Sequence, residues 1–432
     1  MKRFLYTLLL TLVFVVSIKA QQVPGAVQSE AITISGATAH IGNGQVLENA
    51  IITFENGKIT SVKTQNNSSL ELKGRVIDAT GKHVYPGFIV PNSTLGLVEI
   101  DAVKASDDED EIGNYLPHIR SLIAYNAESK IVESMRPNGV LLGQITPRGG
   151  RISGTSSIVQ FDAWNWEDAV LKVDDGLHMN WPNMFSYSWK EKKFIKSKKY
   201  KTQVEDLSLF FEKAKAYALS KTDDINTVYQ AMVPVFKGTK RVYIHVDSEK
   251  GIIDAIAFKR QYNLQHMVIV GGRDAYKVTS ELKSANVPVL LQRIHSLPRF
   301  EGEDYDLPYK LPKLLNDAGV LVGLETSGDM ERMNSRNLPF YAGTAVAYGL
   351  NKNDALQMIT LNTAKILGID AFVGSLEEGK DATLFISDGD ALDMRTNQVS
   401  KAFIQGRELS LDTHQTDLYQ RYSTKFGHDI DE

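Results

Sequence analysis

The interior of the chain alternates short apolar runs with longer segments that have helical spacing. Five runs carry hardly a charge, whereas segments such as "EKGIIDAIAFKRQY" and "AYKVTSELKSAN" repeat apolar residues every three or four positions. A strand buried on both faces is apolar throughout, and repeated strand–helix units form parallel sheets. We therefore predict a (β/α) barrel over about residues 87–371. The five runs are "NGVLLGQI", "RVYIHV", "HMVIVGG", "VPVLLQ" and "GVLVGLE".

The two flanks of this region are rich in short β-type runs. Asn56-Gly57 lies between two such runs and predicts a hairpin. The same β-type pattern returns after residue 372 in "VGSLEEGKDATLFISD". The predicted fold class is α/β, a TIM-like (β/α)8 barrel inserted into a small split β-sandwich. The predicted segments are a signal peptide (1–20), two sandwich parts (21–86 and 372–410), the barrel (87–371) and a polar tail (411–432).

The N-terminus has the features of a secretory signal. Lys2 and Arg3 precede the apolar run Leu8 to Val16, and Ala20 is a small residue at a cleavage position. The run is short of the roughly 20 apolar residues of a membrane span, although an uncleaved anchor is the alternative. We expect a periplasmic or secreted protein with no stable membrane span after cleavage.

Charge and cysteine content exclude several classes of function. The formal net charge is −4, and loss of Lys2, Arg3 and Lys19 with the signal peptide makes it −7. An acidic chain is a poor partner for nucleic acid. With no cysteine, the protein has neither a disulfide nor a thiolate metal ligand.

Three stretches, "VIDATGKHVYPGFIVPNSTLGL", "ITLNTAKILGI" and "VGSLEEGKDATLFI", together resemble the amidohydrolase superfamily, in particular its imidazolonepropionase-like branch. The resemblance implies a hydrolase acting on C–N bonds other than peptide bonds, with a small-molecule amide or cyclic amide as substrate. It implies zinc or another divalent metal at the C-terminal mouth of the barrel. The implied ligands are a His-x-His pair after strand one, a His after strands five and six, and an Asp after strand eight that also acts as base.

The residues at these implied positions are mostly substituted. The resemblance places Val90 and the pair Asn92 and Thr94 at strand one, and Ser327 at the Asp of strand eight. Neutral amide and hydroxyl oxygens are weak zinc ligands. An alternative role for Asn92 and Thr94 is to close a loop. We therefore predict a degenerate metal site.

One implied ligand is kept. His245 ends the predicted fifth strand, and His295 follows the next strand but one, so these two are the candidate metal ligands. Glu325 and Asp329, near the end of strand eight, are candidate catalytic carboxylates beside His245. The resemblance also implies a carboxylated lysine or a glutamate at strand four in some members, and no lysine of this sequence can be assigned to that position.

Residues 145–169 contain two arginines and several glycines. Arg148 and Arg151 could hold a substrate carboxylate through bidentate hydrogen bonds, with Asn92 and Thr94 as further substrate contacts. The alternative is an ordered surface hairpin.

Three functions stay open. The first is an exported amidohydrolase-like protein that has lost its metal site and its activity, with no cofactor. The second is an active metal-dependent hydrolase with rearranged ligands (His245, His295 and nearby carboxylates). The third is a non-catalytic binding or scaffold protein that forms a homo-oligomer or pairs with an active relative.

Overall fold

The computed structural model describes residues 23–65, 72–220, 224–300 and 302–428. The predicted signal peptide lies outside these residues, and its cleavage stays a prediction. Within the described residues the strands form two large sheets and one hairpin. The strands are β1 (Ile32–His40), β2 (Val46–Glu55), β3 (Lys58–Thr64), β4 (Arg75–Asp78), β5 (His83–Pro86), β6 (Phe88–Ser93), β7 (Val140–Ile145), β8 (Ile152–Gln160), β9 (Val170–Asn180), β10 (Phe185–Ser188), β11 (Lys193–Lys196), β12 (Arg241–Val246), β13 (Met267–Gly271), β14 (Val289–Leu291), β15 (Val322–Leu324), β16 (Leu384–Ser387), β17 (Val399–Ile404) and β18 (Arg407–Glu408).

The barrel sheet confirms the predicted TIM-like architecture. Its order is β15-β14-β13-β12-β9-β8-β7-β6, and the predicted buried runs supply β7 and β12 to β15. Most of its pairs are parallel, so the C-terminal ends of these strands share one end of the barrel. Asn92 near the end of β6 contacts Glu325 directly after β15, which brings the two outer strands together at that end. We call this end the mouth.

The third barrel strand runs the opposite way to the others. β8 pairs antiparallel with both β7 and β9. The reversal after β7 uses Gly149 and Gly150, which adopt φ values of +80° and +57° that favour glycine. Every residue of β8 is buried, so the expected surface hairpin over this segment is wrong. The segment is a hairpin inside the barrel wall.

The second large sheet combines strands from both ends of the chain. Its order is β18-β17-β16-β5-β1-β2-β3, with β4 paired to β1. The chain reversal between β2 and β3 confirms the predicted hairpin, because Asn56 and Gly57 both have positive φ, of 51° and 77°. Strands that precede and follow the barrel thus meet in one sheet, while the sandwich form and the segment boundaries stay predictions.

The helices cover the barrel and follow its strands. They are α1 (Lys130–Glu133), α2 (Trp166–Ala169), α3 (Tyr200–Leu219), α4 (Thr227–Gln230), α5 (Val233–Phe236), α6 (Glu249–Tyr262), α7 (Thr279–Ser284), α8 (Leu307–Asp317), α9 (Glu331–Asn334), α10 (Leu338–Ala347), α11 (Lys352–Met358), α12 (Leu361–Leu367) and α13 (His414–Phe426). None of those in the described ranges is long and apolar enough to cross a bilayer.

The sequence pattern predicts one helix over "DALQMITLNTAKILGI", but this segment forms two helices, α11 and α12. The break lies at Ile359 and Thr360, where the carbonyl of Ile359 accepts a hydrogen bond from the N–H of Ile89 in β6. This carbonyl therefore pairs with a backbone N–H of the first barrel strand instead of accepting a hydrogen bond within a continuous helix. Gly368 ends α12 in a left-handed conformation, as its position near the helix end suggests.

Candidate functional site at the barrel mouth

The end of β6 is shaped by Asn92. The register with β7 shifts between Val90 and Ser93, and Asn92 adopts φ +52°, a conformation that asparagine tolerates better than most residues. Its N–H donates to Oε1 of Gln144 (3.0 Å), and its side-chain Nδ2 donates to Glu325 (3.4 Å). Asn92 is buried and fully engaged within the protein.

The guanidinium of Arg148 lies against Asn92 at the mouth. Its Nη1 donates to Oδ1 of Asn92 (2.7 Å) and its Nη2 donates to the carbonyl of Asn92 (2.8 Å). Nη2 also forms an ion pair with Oε2 of Glu331 at 2.8 Å. The two side chains are 22% and 8% exposed, so water screens this pair only weakly. Arg148 therefore links the end of β6 to the first turn of α9.

Thr94 completes this link from the other side. Its N–H donates to Oε1 of Glu331 (2.7 Å), and its hydroxyl accepts from Nη1 of Arg332 (3.1 Å). Arg332 also pairs with Glu109 at 3.4 Å and with Asp101. Asn92 and Thr94, which occupy the positions implied for the histidine pair, thus each contact a guanidinium group.

A buried carboxylate stands at the end of strand eight. Glu325 is 1% exposed and accepts hydrogen bonds from the N–H (2.6 Å) and the hydroxyl (2.7 Å) of Ser327. Burial raises the pKa of Glu325 to about 7, against the opposing effect of the Ser327 hydrogen bonds. Ser327, at the position implied for an aspartate, instead positions the carboxylate of Glu325.

Two imidazoles meet at the ends of strands four and five. Nδ1 of His178 lies 2.9 Å from Nε2 of His245, and Nε2 of His178 lies 2.9 Å from Oγ of Ser156. Ser156 donates its single proton to Asp175 (2.7 Å), so it accepts from Nε2–H of His178. His178 then accepts from His245 at Nδ1. This places one proton on each Nε2 atom.

Asp175 anchors the chain of hydrogen bonds below the imidazoles. It accepts from Tyr243 (2.8 Å) and from Gln144 (3.0 Å), and Tyr243 stacks on His178 with ring centroids 4.5 Å apart. Burial raises the pKa of Asp175. Because Gln144 also accepts from Asn92, the histidines and the end of β6 belong to one network.

Both imidazoles are neutral. Burial, together with the nearby positive charge of Arg148, lowers the pKa of His245 to about 3. Burial and the proximity of His245 lower the pKa of His178 well below its ordinary value. The guanidinium of Arg148 contributes to the lowered pKa of both rings.

The remaining candidates lie outside this network. Asp329 is exposed, and its carbonyl, not its carboxylate, accepts from Arg293 (2.7 Å). His295 is exposed, bonds to Thr344 (2.7 Å) and lines a separate cavity of about 470 Å³. Arg151 lies at the edge of the mouth and donates to the carbonyl of Asn180 (2.5 Å). The structure therefore unites His245, Glu325, Arg148, Asn92 and Thr94 and leaves these three residues apart.

Sequence reasoning missed several members of the network. His178 was hidden because its strand follows the inverted β8, which breaks the strand–helix rhythm. The alternation in "GLHMN" at the end of β9 was a signal that could have found it. Glu331 follows strand eight by seven residues on a short helix, and no pattern marked it. The other missed members are Gln144, Ser156, Asp175 and Tyr243.

Comparison with known proteins places the fold in a family. The model of the amidohydrolase family matches residues 240–409. An amidohydrolase from Thermotoga maritima MSB8 superposes with a TM-score of 0.72 at 25% identity, covering 88% of this chain and 99% of that one. Residues 240–409 of the chain thus match the amidohydrolase family.

Further similar proteins match less of the chain or at lower identity. The amidohydrolase tasK of Hapsidospora irregularis is 36% identical over 117 residues, and the match spans only 11% of that protein's length. A molinate hydrolase structure shares the fold at 16% identity with a TM-score of 0.54, covering 89% of this chain and 95% of that one. A zinc-bound adenosine deaminase from Xanthomonas campestris shares the fold at 14% identity with a TM-score of 0.52. The match covers 92% of this chain and 98% of that one.

The residues at the mouth do not fit the divalent metal that the family resemblance implies. Asn92, Thr94 and Ser327 offer neutral oxygens, and each is hydrogen-bonded to another side chain. In the ranges that the structure describes, no three His, Asp or Glu side chains are grouped to hold a metal ion. The Arg148 guanidinium already supplies a positive charge beside Glu331.

Proposed function

We propose that this amidohydrolase-family protein is exported and binds a small amide or cyclic amide at its barrel mouth without metal-dependent hydrolysis. One observation carries the proposal. The guanidinium of Arg148 is shared between Asn92, at the strand-one ligand position, and the carboxylate of Glu331. The positive charge around which the mouth residues are arranged therefore belongs to a side chain of the protein and not to a bound metal ion.

Electrostatics support this arrangement over a bound cation. Two unit positive charges 4 Å apart repel by about 4 kcal/mol at an effective dielectric constant of ~20, and a divalent ion doubles that cost. Burial and, after it, the positive charge of Arg148 lower the pKa of His245, so the guanidinium acts electrostatically on the position implied for a histidine ligand. A metal ion at His245 would be repelled by the same guanidinium.

The hydrogen-bonding groups at the mouth suit a neutral polar ligand. Arg148 is partly exposed and retains N–H donors beyond those bonded to Asn92 and Glu331. An amide presents one acceptor and one donor in the same plane. The remaining N–H donors of Arg148 are complementary to the acceptor of such a group.

A second candidate is hydrolysis with a rearranged metal site. It is favoured by the meeting of two neutral imidazoles, His178 and His245, at the same end of the barrel as the Glu325 carboxylate. Neutral imidazole and carboxylate are good zinc ligands, so displacement of Arg148 would be the step that such a site needs.

Turnover decides between these two functions. The mature chain is assayed against amides, lactams and dipeptides, without metal and with added Zn²⁺ or Mn²⁺, beside a His245→Ala variant. The proposal predicts no turnover above that of His245→Ala under any metal. Metal-dependent turnover that His245→Ala abolishes would establish the second candidate instead.

Ligand binding is measured on the same panel by calorimetry. Heats of ligand binding that are absent in Arg148→Met but present in Arg120→Met support a binding site at the mouth. Absence of binding across the panel contradicts the amide-binding part of the proposal. Export is tested separately, by N-terminal sequencing of the protein from its native host, where cleavage after Ala20 is expected.

A further inference from the structure

A two-stranded hairpin projects from the barrel beyond strand four. β10 and β11 pair with each other and with no other described strand. In their register Tyr187 lies opposite Phe194 and Phe185 lies opposite Lys196. Because alternate residues of a strand share a face, Phe185, Tyr187 and Phe194 line one face of the hairpin. Trp189 follows at the turn and packs edge-on against Tyr187.

These aromatic side chains are exposed to an unusual degree. Trp189 is 85% exposed, and the three face residues are 42% to 50% exposed. Contiguous exposed apolar side chains on a folded protein mark a surface that contacts something else. Phe300, packed edge-on against Phe194, and Arg299, above both of these rings, cover part of this face.

The same segment is strongly basic. Between residues 185 and 201 the chain has seven lysines and a single acidic residue, Glu191. This concentration stands out in a chain whose formal net charge is −4. In the part of the chain that the structure describes, two of the seven pair with glutamates, Lys193 with Glu191 and Lys201 with Glu205. The five that form no ion pair there are Lys190, Lys192, Lys196, Lys198 and Lys199.

We propose that this hairpin docks the protein onto an anionic lipid surface. Exposed Trp, Tyr and Phe favour the boundary between headgroups and acyl chains, and neighbouring lysines favour anionic headgroups. A protein partner fits less well, because lysine is depleted from the cores of protein–protein interfaces. The long lysine side chains can extend past the aromatic rings to the phosphate level while the rings enter the boundary.

The hairpin is held at the mouth end of the barrel. It follows the C-terminal end of β9, which carries His178, and Phe300 follows the C-terminal end of β14. The contact between Phe194 and Phe300 therefore ties the hairpin to a second mouth loop. Docking through the aromatic face would bring the barrel mouth close to the lipid surface.

Vesicle flotation of the full mature chain tests the proposal. Vesicles of phosphatidylglycerol and phosphatidylcholine are compared with vesicles of phosphatidylcholine alone, at low and high salt. We expect flotation with the anionic vesicles that weakens as salt screens the lysines. Replacing Lys190, Lys192 and Lys196 by Gln should lower the partition coefficient by roughly fivefold per lysine.

The matched control removes the same charge elsewhere. Lys213, Lys283 and Lys365 are exposed and form no ion pair in the described structure, so their replacement by Gln should leave flotation unchanged. Trp189→Ala should also weaken flotation, and vesicles should shift Trp fluorescence to the blue in the wild type but not in this variant.

Three results would overturn the proposal. The first is no flotation of the wild type with anionic vesicles. The second is an equal loss in the hairpin and control triple variants, which would indicate a charge effect without a site. The third is a change of oligomeric state on Trp189→Ala with no effect on flotation, which would assign the aromatic face to a second copy of the chain. None of these depends on whether the mouth binds or hydrolyses an amide.

Discussion

Replacing Arg148 by Met should destabilise the fold far more than loss of an ordinary surface charge. The change removes the bonds to Oδ1 and the carbonyl of Asn92 and the ion pair with Glu331. Glu331 is 8% exposed and would keep only its contacts with Thr94. Breaking one side of a buried pair leaves an uncompensated charge and costs about 3–5 kcal/mol.

The free energy of unfolding, measured by urea titration, gives the magnitude. Arg120→Met is the matched control, because its pair with Asp174 is 40% and 29% exposed and should contribute less than about 1 kcal/mol. The double variant Arg148→Met/Glu331→Gln should recover about 1–3 kcal/mol relative to additivity, since it removes the stranded carboxylate. The reasoning would be refuted if Arg148→Met lowered the free energy of unfolding no more than Arg120→Met does, and if the effects of Arg148→Met and Glu331→Gln were additive in the double variant.

Three further predictions concern the same network. Because the folded pKa of Glu325, about 7, exceeds its ordinary 4.5, its contribution to stability is full below pH 4.5 and is lost toward pH 7. This loss is worth about 3 kcal/mol of the free energy of unfolding. In urea titrations at several pH values, Glu325→Gln should show a smaller decrease of that free energy with rising pH than the wild type does. The folded pKa values of His178 and His245 are lowered, so their contribution is present above pH 6.5 and is lost as pH falls. Nitrogen NMR should show both rings neutral at pH 5, and titration of either near 6.5 would contradict the geometry. Asn92→Ala should be about 1–2 kcal/mol less stable than Asn92→Gly, because alanine strains at φ +52°; equal stabilities would argue against that backbone.

The fold followed from the sequence wherever local pattern determines it. Apolar runs such as that of β12 must be buried on both faces, and Asn56-Gly57 suits the positive φ of a tight hairpin. The inverted strand β8 was not predictable in this way. Its serine-rich sequence has neither the apolar run nor the alternation of a typical strand, and only contacts on both sides make it part of the barrel.

The site was predictable only in part, for a physical reason. The family resemblance identified His245, Asn92 and Thr94 at the ends of the first and fifth barrel strands. The partners that give those residues their roles come from distant segments. Glu331 lies 183 positions from Arg148, and His178 lies 67 from His245, so no local pattern joins them. Sequence placed Arg148 at the mouth as a substrate contact, whereas the structure shows it first as the internal partner of Asn92.

Zinc content of the purified mature chain tests the central account most directly. The protein is equilibrated with Zn²⁺, freed of unbound metal and analysed by mass spectrometry beside Arg148→Met and His245→Ala. If the Arg148 guanidinium takes the place of the metal, the wild type retains only substoichiometric zinc, no more than His245→Ala. Stoichiometric zinc in the wild type, lost on His245→Ala, would contradict the account.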